Sequence, residues 1–395
     1  MKFTKYVYCS ISLLVTVSFS HAATFETGTV VSGAATEAKP QSKCWYHDGS
    51  WWTVLADREH LGLFQYQTGE WTRAMNLDDL GVGRCDCLPI GDDVYVLAFA
   101  TTRTTLHRLS YVGGVYQFAP GWEIPVELPL MGSSETATIA RDTTGRLWMC
   151  AEESREIRLY HSLDNERTWT GPVTIRDGVS DDDISAVAIL NGGRIGVMWS
   201  DQNRREFGFA VHTDGDAADE WGLESVTGDG PVADDHLNLA VASDGTLYAA
   251  VKTEFDTAGM TQLGLLRRSP DGEWSDVIPV TILSTTDTGT RPIVVLNEAR
   301  GELYVFFTNW ADSPRSISVK STTTGSPQFH EDSVRVIQNP GDLNDVSSTR
   351  QNVDNNTGLM VIASAGGSVE YCFIREFSSL FGESGISPKC AIPEK

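Results

Sequence analysis

The sequence predicts an all-β fold, a seven-bladed β-propeller with four strands in each blade. A turn glycine recurs between short apolar strands at seven places, namely Gly49, Gly91, Gly145, Gly193, Gly245, Gly301 and Gly358. The steps between these glycines are 42, 54, 48, 52, 56 and 57 residues. A period close to fifty is typical of propellers and other repeat arrays, and each step leaves room for about four strands.

The repeating unit is clearest between Val232 and Thr253. An alternating apolar strand around Leu239 leads into a turn at Gly245, and a second apolar strand follows. An antiparallel hairpin returns to the end where it began. We therefore expect Asp234-Asp235-His236 and Lys252 to lie together at one end of the paired strands, which makes that end a candidate site.

Third and fourth strands follow the hairpins and complete the blades. The third strands read L-G-L-F-Q-Y, T-L-H-R-L-S-Y, I-R-L-Y-H-S, E-F-G-F-A-V-H, L-G-L-L-R-R, S-I-S-V-K and V-E-Y-C-F-I. Several of them are followed by a turn and a fourth strand that carries Trp71, Trp169 or Trp274. The repeats continue without a Pro- or Ser-rich linker, so we predict a single domain over residues 23–395.

The two ends of the chain have separate predicted roles. Residues 1–22 combine two lysines, a short apolar run and a small-x-small cleavage pattern, which is typical of a signal peptide. We therefore expect a secreted or periplasmic protein. The alternating stretch Thr24 to Val31 precedes the first blade, and we expect it to complete the last blade and close the ring. The irregular tail 378–395 is expected to be pinned by Cys390.

Charge and cysteine content narrow the classes of partner. The net charge is −23, and about −25 once the two lysines of the signal peptide are removed, so nucleic acid is not an expected partner. The apolar run is too short for a membrane span and no longer one follows, so no membrane association is expected. Six cysteines remain in an exported chain, which permits disulfides with open connectivity. The spacing of Cys85 and Cys87 does not match a zinc site. We expect a monomer.

Charged residues are predicted to surround the channel mouth, the face at which the innermost strands begin. Counting ten residues back from four turn glycines gives Glu135, Asp183, Asp235 and Arg291. In the other three blades the nearest charged residues are Lys43, Arg84 and Arg350. The second strands end at the same face, with Lys252 and Trp310 among their last residues. One interpretation is that these polar residues are solvated and pair with one another.

A second interpretation gives this ring a ligand. Four bases at one mouth of an acidic protein, Lys43, Arg84, Arg291 and Arg350, are suited to hold an anion. His236 is the best candidate for a general acid or base, because its ordinary pKa lies near neutrality. His107, His161 and His212 are expected on or beside third strands, away from the channel. Asp183, Asp234 and Asp235 offer oxygen ligands to Ca²⁺, although no EF-hand or nonapeptide pattern accompanies them.

One motif carries a resemblance to a known superfamily. Residues Ser162 to Trp169, S-L-D-N-E-R-T-W, resemble the Asp-box, Ser-x-Asp-x-Gly-x-Thr-Trp, of sialidase-like (BNR-repeat) propellers, with Glu166 in place of the glycine. The resemblance implies a turn between the third and fourth strands of a blade. Sialidases use three arginines, for which Arg84, Arg291 and Arg350 are available, but no Tyr-Glu couple is recognisable. Seven blades with His, Arg and Lys at the mouth are more similar to secreted ulvan-lyase-like propellers.

These observations lead to the hypothesis of an exported carbohydrate-active propeller that binds and cleaves an acidic polysaccharide. In a lyase, Arg291, Arg350 or Lys43 would neutralise a uronate carboxylate, His236 would act as the base, and Lys252 would assist protonation of the leaving oxygen. The substrate-binding set comprises Lys43, Arg84, Glu135, Asp183, Asp235, Arg350 and Trp310.

Two alternatives remain open. A hydrolase would need two carboxylates such as Glu135 and Asp183 on opposite sides of the bond. A non-catalytic lectin or adhesion module would stack Trp45, Trp51 or Trp310 on sugar rings, and the charged ring would only orient the ligand.

Overall fold

The structure is a computed structural model that describes a defined part of the chain. It covers the backbone of Ala23–Phe25 and the residues between 35 and 377. The exceptions within that range are 38, 40, 58, 68, 81–83, 101–102, 131–133, 164–165, 227–232, 286, 340, 366–367 and 375–376. The predicted signal peptide, the tail from 378 and most of the predicted strand from Thr24 to Val31 lie outside the described residues. Among the described residues, no helix has the length and apolar character needed to cross a membrane.

The described chain forms seven antiparallel sheets, which confirms the predicted seven-bladed propeller. Strands are numbered along the chain from β1 (Ala23–Phe25). Blade 1 contains β2 (Cys44–His47), β3 (Ser50–Ala56), β4 (Leu61–Gln67) and β5 (Glu70–Asp78). Blade 2 contains β6 (Cys85–Ile90), β7 (Asp93–Phe99), β8 (Thr104–Val112), β9 (Val115–Phe118) and β10 (Val126–Glu127). Blade 3 contains β11 (Ala137–Arg141), β12 (Leu147–Glu153), β13 (Glu156–Ser162) and β14 (Trp169–Asp177).

The remaining four blades follow the same order. Blade 4 contains β15 (Ser185–Leu190), β16 (Arg194–Asp201), β17 (Glu206–Thr213) and β18 (Gly222–Ser225). Blade 5 contains β19 (Ala233–Val241), β20 (Leu247–Thr253), β21 (Thr261–Arg268) and β22 (Ile278–Ile282). Blade 6 contains β23 (Gly289–Asn297), the 3₁₀ turn Glu298–Arg300, β24 (Glu302–Asn309), β25 (Ser316–Thr323) and β26 (Val334–Ile337). Blade 7 contains β27 (Asn344–Ser347), β28 (Leu359–Ala365), β29 (Ser368–Ile374) and β1.

The N-terminal strand closes the ring, as the sequence predicts. β1 pairs antiparallel with β29, with Thr24 opposite Glu370. The last blade therefore takes three strands from the C-terminal part of the chain and one from the N-terminal part. This closure removes the open sheet edges that an unclosed array would expose.

Turn chemistry explains why the hairpins form where they do. In blade 5 the turn between β19 and β20 places Gly245 at φ +92°, a conformation that side chains rarely adopt. The carboxylate Oδ1 of Asp244 accepts a hydrogen bond from the backbone N–H of Thr246 at 2.8 Å. A Cβ at Gly245 would also meet the Asn191 side chain at 3.0 Å, so the position requires glycine twice over.

The core lies between neighbouring blades, where the second strands are buried on both faces. All seven residues of β12 are buried, for example. Trp148 on this strand packs against His161 of its own blade and His212 of the next, with ring centroids 5.1 and 4.8 Å apart. These two histidines and His107 lie on third strands, as predicted, and not at the channel.

Four of the six cysteines that follow the predicted signal peptide are not cross-linked. Cys44, Cys85, Cys87 and Cys150 are free, buried thiols. These four therefore take no part in the disulfides that an exported chain would permit. The expected pinning of the tail by Cys390 falls outside the described residues.

Candidate functional site

Three neighbouring first strands begin with a β-bulge at the channel mouth. In β19, Ala233 pairs with Thr253 and Leu237 with Val251, so two extra residues are looped out of the ladder. β23 and β27 each carry one extra residue, between Thr290 and Ile293 and between Asn344 and Ser347. Bulges re-aim side chains and are over-represented beside active sites.

The bulges explain which side chains meet at the mouth. In a regular strand Asp234, Asp235 and His236 would alternate between two faces. Looped out of the ladder, they form one cluster instead. On the other two bulges Arg291 and Asp345 have φ values of +53° and +52°. Left-handed backbone is costly for these residue types and is found where a site requires it.

His236 is held by two carboxylates and is only 5 % exposed. Its Nδ1 lies 3.0 Å from Asp234 Oδ1 and 2.5 Å from Asp235 Oδ1. This arrangement favours the tautomer with the proton on Nδ1, which leaves Nε2 as an acceptor. Nε2 lies 3.5 Å from the Oγ1 hydroxyl of Thr290. The imidazole is therefore oriented with Nε2, its basic nitrogen in this tautomer, toward the Thr290 hydroxyl.

Two lysines balance the carboxylates that hold His236. Lys252 Nζ donates to Asp234 Oδ2 at 2.7 Å. Lys39 Nζ bonds Asp235 Oδ2 and lies 3.1 Å from Glu135 Oε1. Burial alone would raise the pKa of Asp235, but the hydrogen bond from His236 and the charge of Lys39 outweigh it and hold that pKa well below its usual range. Asp235 is therefore a carboxylate at any physiological pH.

Arg291 and Asp345 form the opposite wall of this cluster. Arg291 Nε lies 2.7 Å from Asp345 Oδ1. Burial raises the pKa of Asp345, and the charge of Arg291 works against that rise. A cavity of about 10 Å³ lies between Lys39, His236, Arg291 and Asp345, which is room for about one water molecule. In this conformation Lys39 and Gln41 close the site.

Three carboxylates from three consecutive blades converge beside Lys39. Oxygens of Glu135, Asp182 and Asp235 lie within 4.8 Å of one another. Burial and the nearby charges of Asp235 and Glu135 raise the pKa of Asp182 to about 6. Burial, together with Asp181, Asp183 and Glu153, likewise raises the pKa of Glu152 to about 7. The mouth thus combines ionised and readily protonated acids.

Two groups of ligand atoms at the mouth have a spacing that suits a metal ion. They are Asp234, Asp235 and His236, and Glu135, Asp182 and Asp235. The oxygen-rich second group matches the ligand preference of Ca²⁺. In both groups, however, a lysine ammonium already bonds a carboxylate. These lysines supply the positive charge that a calcium ion would bring.

The structure separates the remaining predicted residues from the His236 cluster. Asp183 is buried and caps its own loop, accepting from the backbone N–H of Ser180 at 2.7 Å and the hydroxyl of Ser200 at 2.8 Å. Asp182, its neighbour, reaches the carboxylate group instead. Arg84 Nη2 lies 3.0 Å from Glu37 Oε1.

Lys43 and Arg350 belong to the channel wall. Lys43 is fully buried, and its Nζ donates to the carbonyl oxygen of Cys85 at 3.0 Å. Arg350 donates to both oxygens of the fully buried Asp86 and to the carbonyl oxygen of Ile139, the latter at 2.7 Å. The Arg350–Asp86 pair ties blade 7 to blade 2 across the channel.

The tryptophans proposed for sugar stacking differ in exposure. Trp45 and Trp51 are 0 % and 2 % exposed, so they are core residues. This corrects the expectation that either stacks on a sugar. Trp310 is 50 % exposed at the end of β24, with the Arg315 guanidinium 5.3 Å from its ring centroid.

Sequence reasoning missed Lys39, Asp182, Thr290 and Asp345. Lys39 lies on the segment that enters blade 1, so no count from a turn glycine leads to it. Asp182 stands in an Asp-Asp-Asp run, and counting from Gly193 selected its neighbour. This run of three acids was the sequence signal that could have pointed to Asp182, because three consecutive acids cannot all cap one loop.

A ring of seven sheets, six with four strands and blade 2 with five, defines the chain as a seven-bladed β-propeller. Solved structures with a similar fold were found at low sequence identity. A protein from Lactobacillus plantarum is 12 % identical with a TM-score of 0.51, covering 76 % of this chain and 85 % of that one. The polysaccharide lyase Uly1 is 10 % identical with a TM-score of 0.46, covering 88 % and 92 %. The six-bladed fucose-recognising lectin of Aleuria aurantia is 12 % identical with a TM-score of 0.46, covering 76 % and 96 %.

Identities at this level show a shared fold and nothing finer. No protein-family model matches the sequence, and no curated protein is significantly similar to it. The likeness to Asp-box propellers therefore rests on the single motif between β13 and β14, where the resemblance places it.

Proposed function

We propose that this protein is an exported carbohydrate-active enzyme that cleaves an acidic polysaccharide at the channel mouth by β-elimination. The observation that carries the proposal is the convergence of three bulged strands on His236, Arg291 and Asp345. Strained backbone, an oriented imidazole and a guanidinium face one cavity, an arrangement that packing alone does not require.

The residues have distinct roles in the proposed reaction. His236 Nε2 removes the proton from the carbon next to the uronate carboxylate, and Asp234 and Asp235 stabilise the imidazolium that forms. Arg291 neutralises the carboxylate and so acidifies that C–H bond. The Asp345 carboxylate at 2.7 Å from Arg291 marks where a substrate carboxylate would bind.

The proposed elimination balances without a co-reactant. The C–H electron pair forms a carbon–carbon double bond, and the glycosidic C–O bond breaks. Lys252 donates a proton to the leaving oxygen and regains one from solvent, and the proton on His236 returns to solvent. Because the cavity holds about one water molecule, access of a sugar requires that Lys39 and Gln41 move away from the mouth.

The experiment that tests the proposal is a screen of the mature protein against anionic polysaccharides at several pH values. An unsaturated uronate product absorbs near 235 nm, so a rise in absorbance with one glycan supports elimination. New reducing ends without that rise would contradict the lyase and favour a hydrolase. Retarded migration in a glycan-containing gel without any product would favour a lectin.

One observation favours glycoside hydrolysis as a second candidate function. Glu135, Asp182 and Asp235 provide close carboxylates, and the pKa of Asp182 is raised whereas that of Asp235 is lowered. A raised pKa suits a general acid, and a lowered one suits a nucleophile or base. In this alternative Asp182 replaces Asp183 as the partner of Glu135. Loss of reducing-end formation in Asp182→Asn, with His236→Ala still active, would support it.

A further inference from the structure

Four arginines line a cavity on the face opposite the channel mouth. The cavity lies between blades 2 and 3 and measures about 750 Å³, within the usual range for ligand sites. It is lined by Arg108, Arg141, Arg146 and Arg167, and we call it the arginine pocket. In a chain of net charge −23, such a concentration of bases opposes the overall field and calls for a specific cause.

The carboxylate of Glu166 pairs with two of these arginines, Arg108 and Arg141. It replaces the glycine of the Asp-box yet keeps a left-handed φ of +61°. Its buried carboxylate accepts from the Tyr95 hydroxyl at 2.6 Å and from Arg108 Nη1 at 3.0 Å, and it lies 3.3 Å from Arg141 Nη2. Asp93 also accepts from Arg108, at 2.6 Å. Two carboxylates therefore balance Arg108 and Arg141.

Arg146 and Arg167 carry charge that no carboxylate of the described residues neutralises. Among the described residues, neither has a carboxylate within 4.0 Å. Arg146 stacks over Trp148 with its guanidinium carbon 5.4 Å from the ring centroid, and its Nη1 is buried without a hydrogen-bond partner in the described chain. Arg167 stacks over Trp122 at 5.0 Å and donates to the carbonyl oxygen of Gly121.

Stacking prepares these two guanidiniums for an anion. A guanidinium held by its face against an aromatic ring loses little further freedom on binding, and its edge still presents a planar fork of N–H donors. Such forks match the oxygens of carboxylate and sulfate groups. The pocket thus offers about two uncompensated, preorganised positive charges beside a buried acid.

We propose that the arginine pocket binds the sulfate or carboxylate groups of an acidic glycan. Because it lies on the opposite face from His236, it anchors the protein to the polymer and takes no part in bond cleavage. The proposal rests on the contacts of Arg146 and Arg167 and does not require the lyase chemistry proposed for the mouth.

The test is the affinity of the double variant Arg146→Gln/Arg167→Gln for dextran sulfate and polygalacturonate, measured by calorimetry at low ionic strength. Each charge-assisted contact contributes about tenfold in affinity, so we expect roughly 100-fold weaker binding to one or both polymers. Arg205→Gln/Arg300→Gln removes the same charge from arginines outside the pocket and should bind within about threefold of wild type. Unchanged binding in the pocket variant, or an equal loss in the control, overturns the proposal.

Two further arms address folding and the source of the anion. Arg146→Lys/Arg167→Lys keeps the charge but loses the fork, so it should bind between the wild type and the Gln variant, which loss of folding would not produce. Inorganic sulfate should bind far more weakly than dextran sulfate at equal sulfate concentration. If inorganic sulfate binds as tightly as the polymer, the pocket is a simple anion site and the glycan assignment is overturned.

Discussion

The channel mouth and the arginine pocket both contain several bases, but the bases differ in what surrounds them. At the mouth the bases form ion pairs with acids. These pairs are Lys39 with Asp235, Lys252 with Asp234 and Arg291 with Asp345. In the arginine pocket Arg146 and Arg167 have no such partner among the described residues. The electrostatic potential of a site therefore cannot be judged from its number of bases alone, because carboxylates on other strands contribute to it as well.

The two regions also differ in how ready they are for a ligand. The mouth is closed over a space for about one water molecule, whereas the arginine pocket measures about 750 Å³. Paired, buried charges suit chemistry, because removing water strengthens each electrostatic interaction. Unpaired charges in an open pocket suit binding. The comparison supports our proposal that cleavage occurs at one face and anchoring at the other.

The largest expected effect comes from removing the proposed base. His236→Ala should lower the rate of product formation by about 10²- to 10⁴-fold, since that is the usual contribution of a general base. The check is the rate of absorbance increase near 235 nm at saturating substrate. His330→Ala, whose imidazole is exposed, is the matched control and should retain the wild-type rate. If His236→Ala cleaves at the wild-type rate, His236 is not the base of the reaction.

Breaking the Arg350–Asp86 ion pair across the channel should lower the stability of the fold. Arg350→Met leaves the fully buried Asp86 carboxylate without its charge partner. We expect the free energy of unfolding to fall by about 3–5 kcal/mol, measured by urea denaturation. Arg146→Gln, which breaks no ion pair among the described residues, should change it by less than about 1 kcal/mol. Equal losses in the two variants would contradict the distinction between paired and unpaired arginines.

Glu152 at the mouth should make stability depend on pH in a defined direction. Its folded pKa of about 7 lies above the ordinary value of 4.5, so the folded state binds the extra proton. Stability from this group is present below pH 4.5 and is lost as pH rises toward 7. The glutamine of Glu152→Gln does not ionise, so this variant does not lose that stability as the pH rises.

The expected gain of Glu152→Gln over wild type is on the order of 2 kcal/mol at pH 8 and near zero at pH 4.5. Urea denaturation of both proteins at the two pH values measures it. A gain of the same size at both pH values would show that the carboxyl does not titrate between them.

The smallest expected effect concerns the half-exposed Trp310. Trp310→Ala should weaken glycan binding by about 3- to 10-fold, because an aromatic stacking contact contributes about 1 kcal/mol. Affinity electrophoresis provides the measurement. Leu223→Ala removes a more exposed apolar side chain from β18, which lines neither the mouth cavity nor the arginine pocket, and should have no effect. Equal retardation of wild type and Trp310→Ala would exclude Trp310 from the glycan site.

Regular features of the fold could be predicted from the sequence, whereas the irregular ones could not. Turn glycines such as Gly245 recur because each hairpin needs a left-handed residue, so their spacing counts the blades. His236 and Lys252 lie at the same end of one hairpin because an antiparallel hairpin returns to its starting end, and Arg291 lines the same cavity as His236. Their roles in a site stay predictions. Counting assumed regular strands, however, and the bulges in β19, β23 and β27 changed which neighbours meet them.

The pairing of particular bases with particular acids could not be predicted from the sequence either. Asp86 and Arg350 are 264 residues apart, and only ring closure brings them together. The arginine pocket combines residues of two blades that share no motif. Its one sequence signal was Glu166 in place of the Asp-box glycine, a departure whose meaning needed the positions of Arg108 and Arg141.

The most direct test of this division is to measure cleavage and retention of the same acidic glycan by two variants side by side. His236→Ala should be retarded in the glycan-containing gel as strongly as wild type and form no product absorbing near 235 nm. Arg146→Gln/Arg167→Gln should be retarded less and still reach the wild-type rate at saturating substrate. If His236→Ala cleaves at the wild-type rate, or if each variant loses both properties, the assignment of cleavage to the mouth and anchoring to the arginine pocket is contradicted.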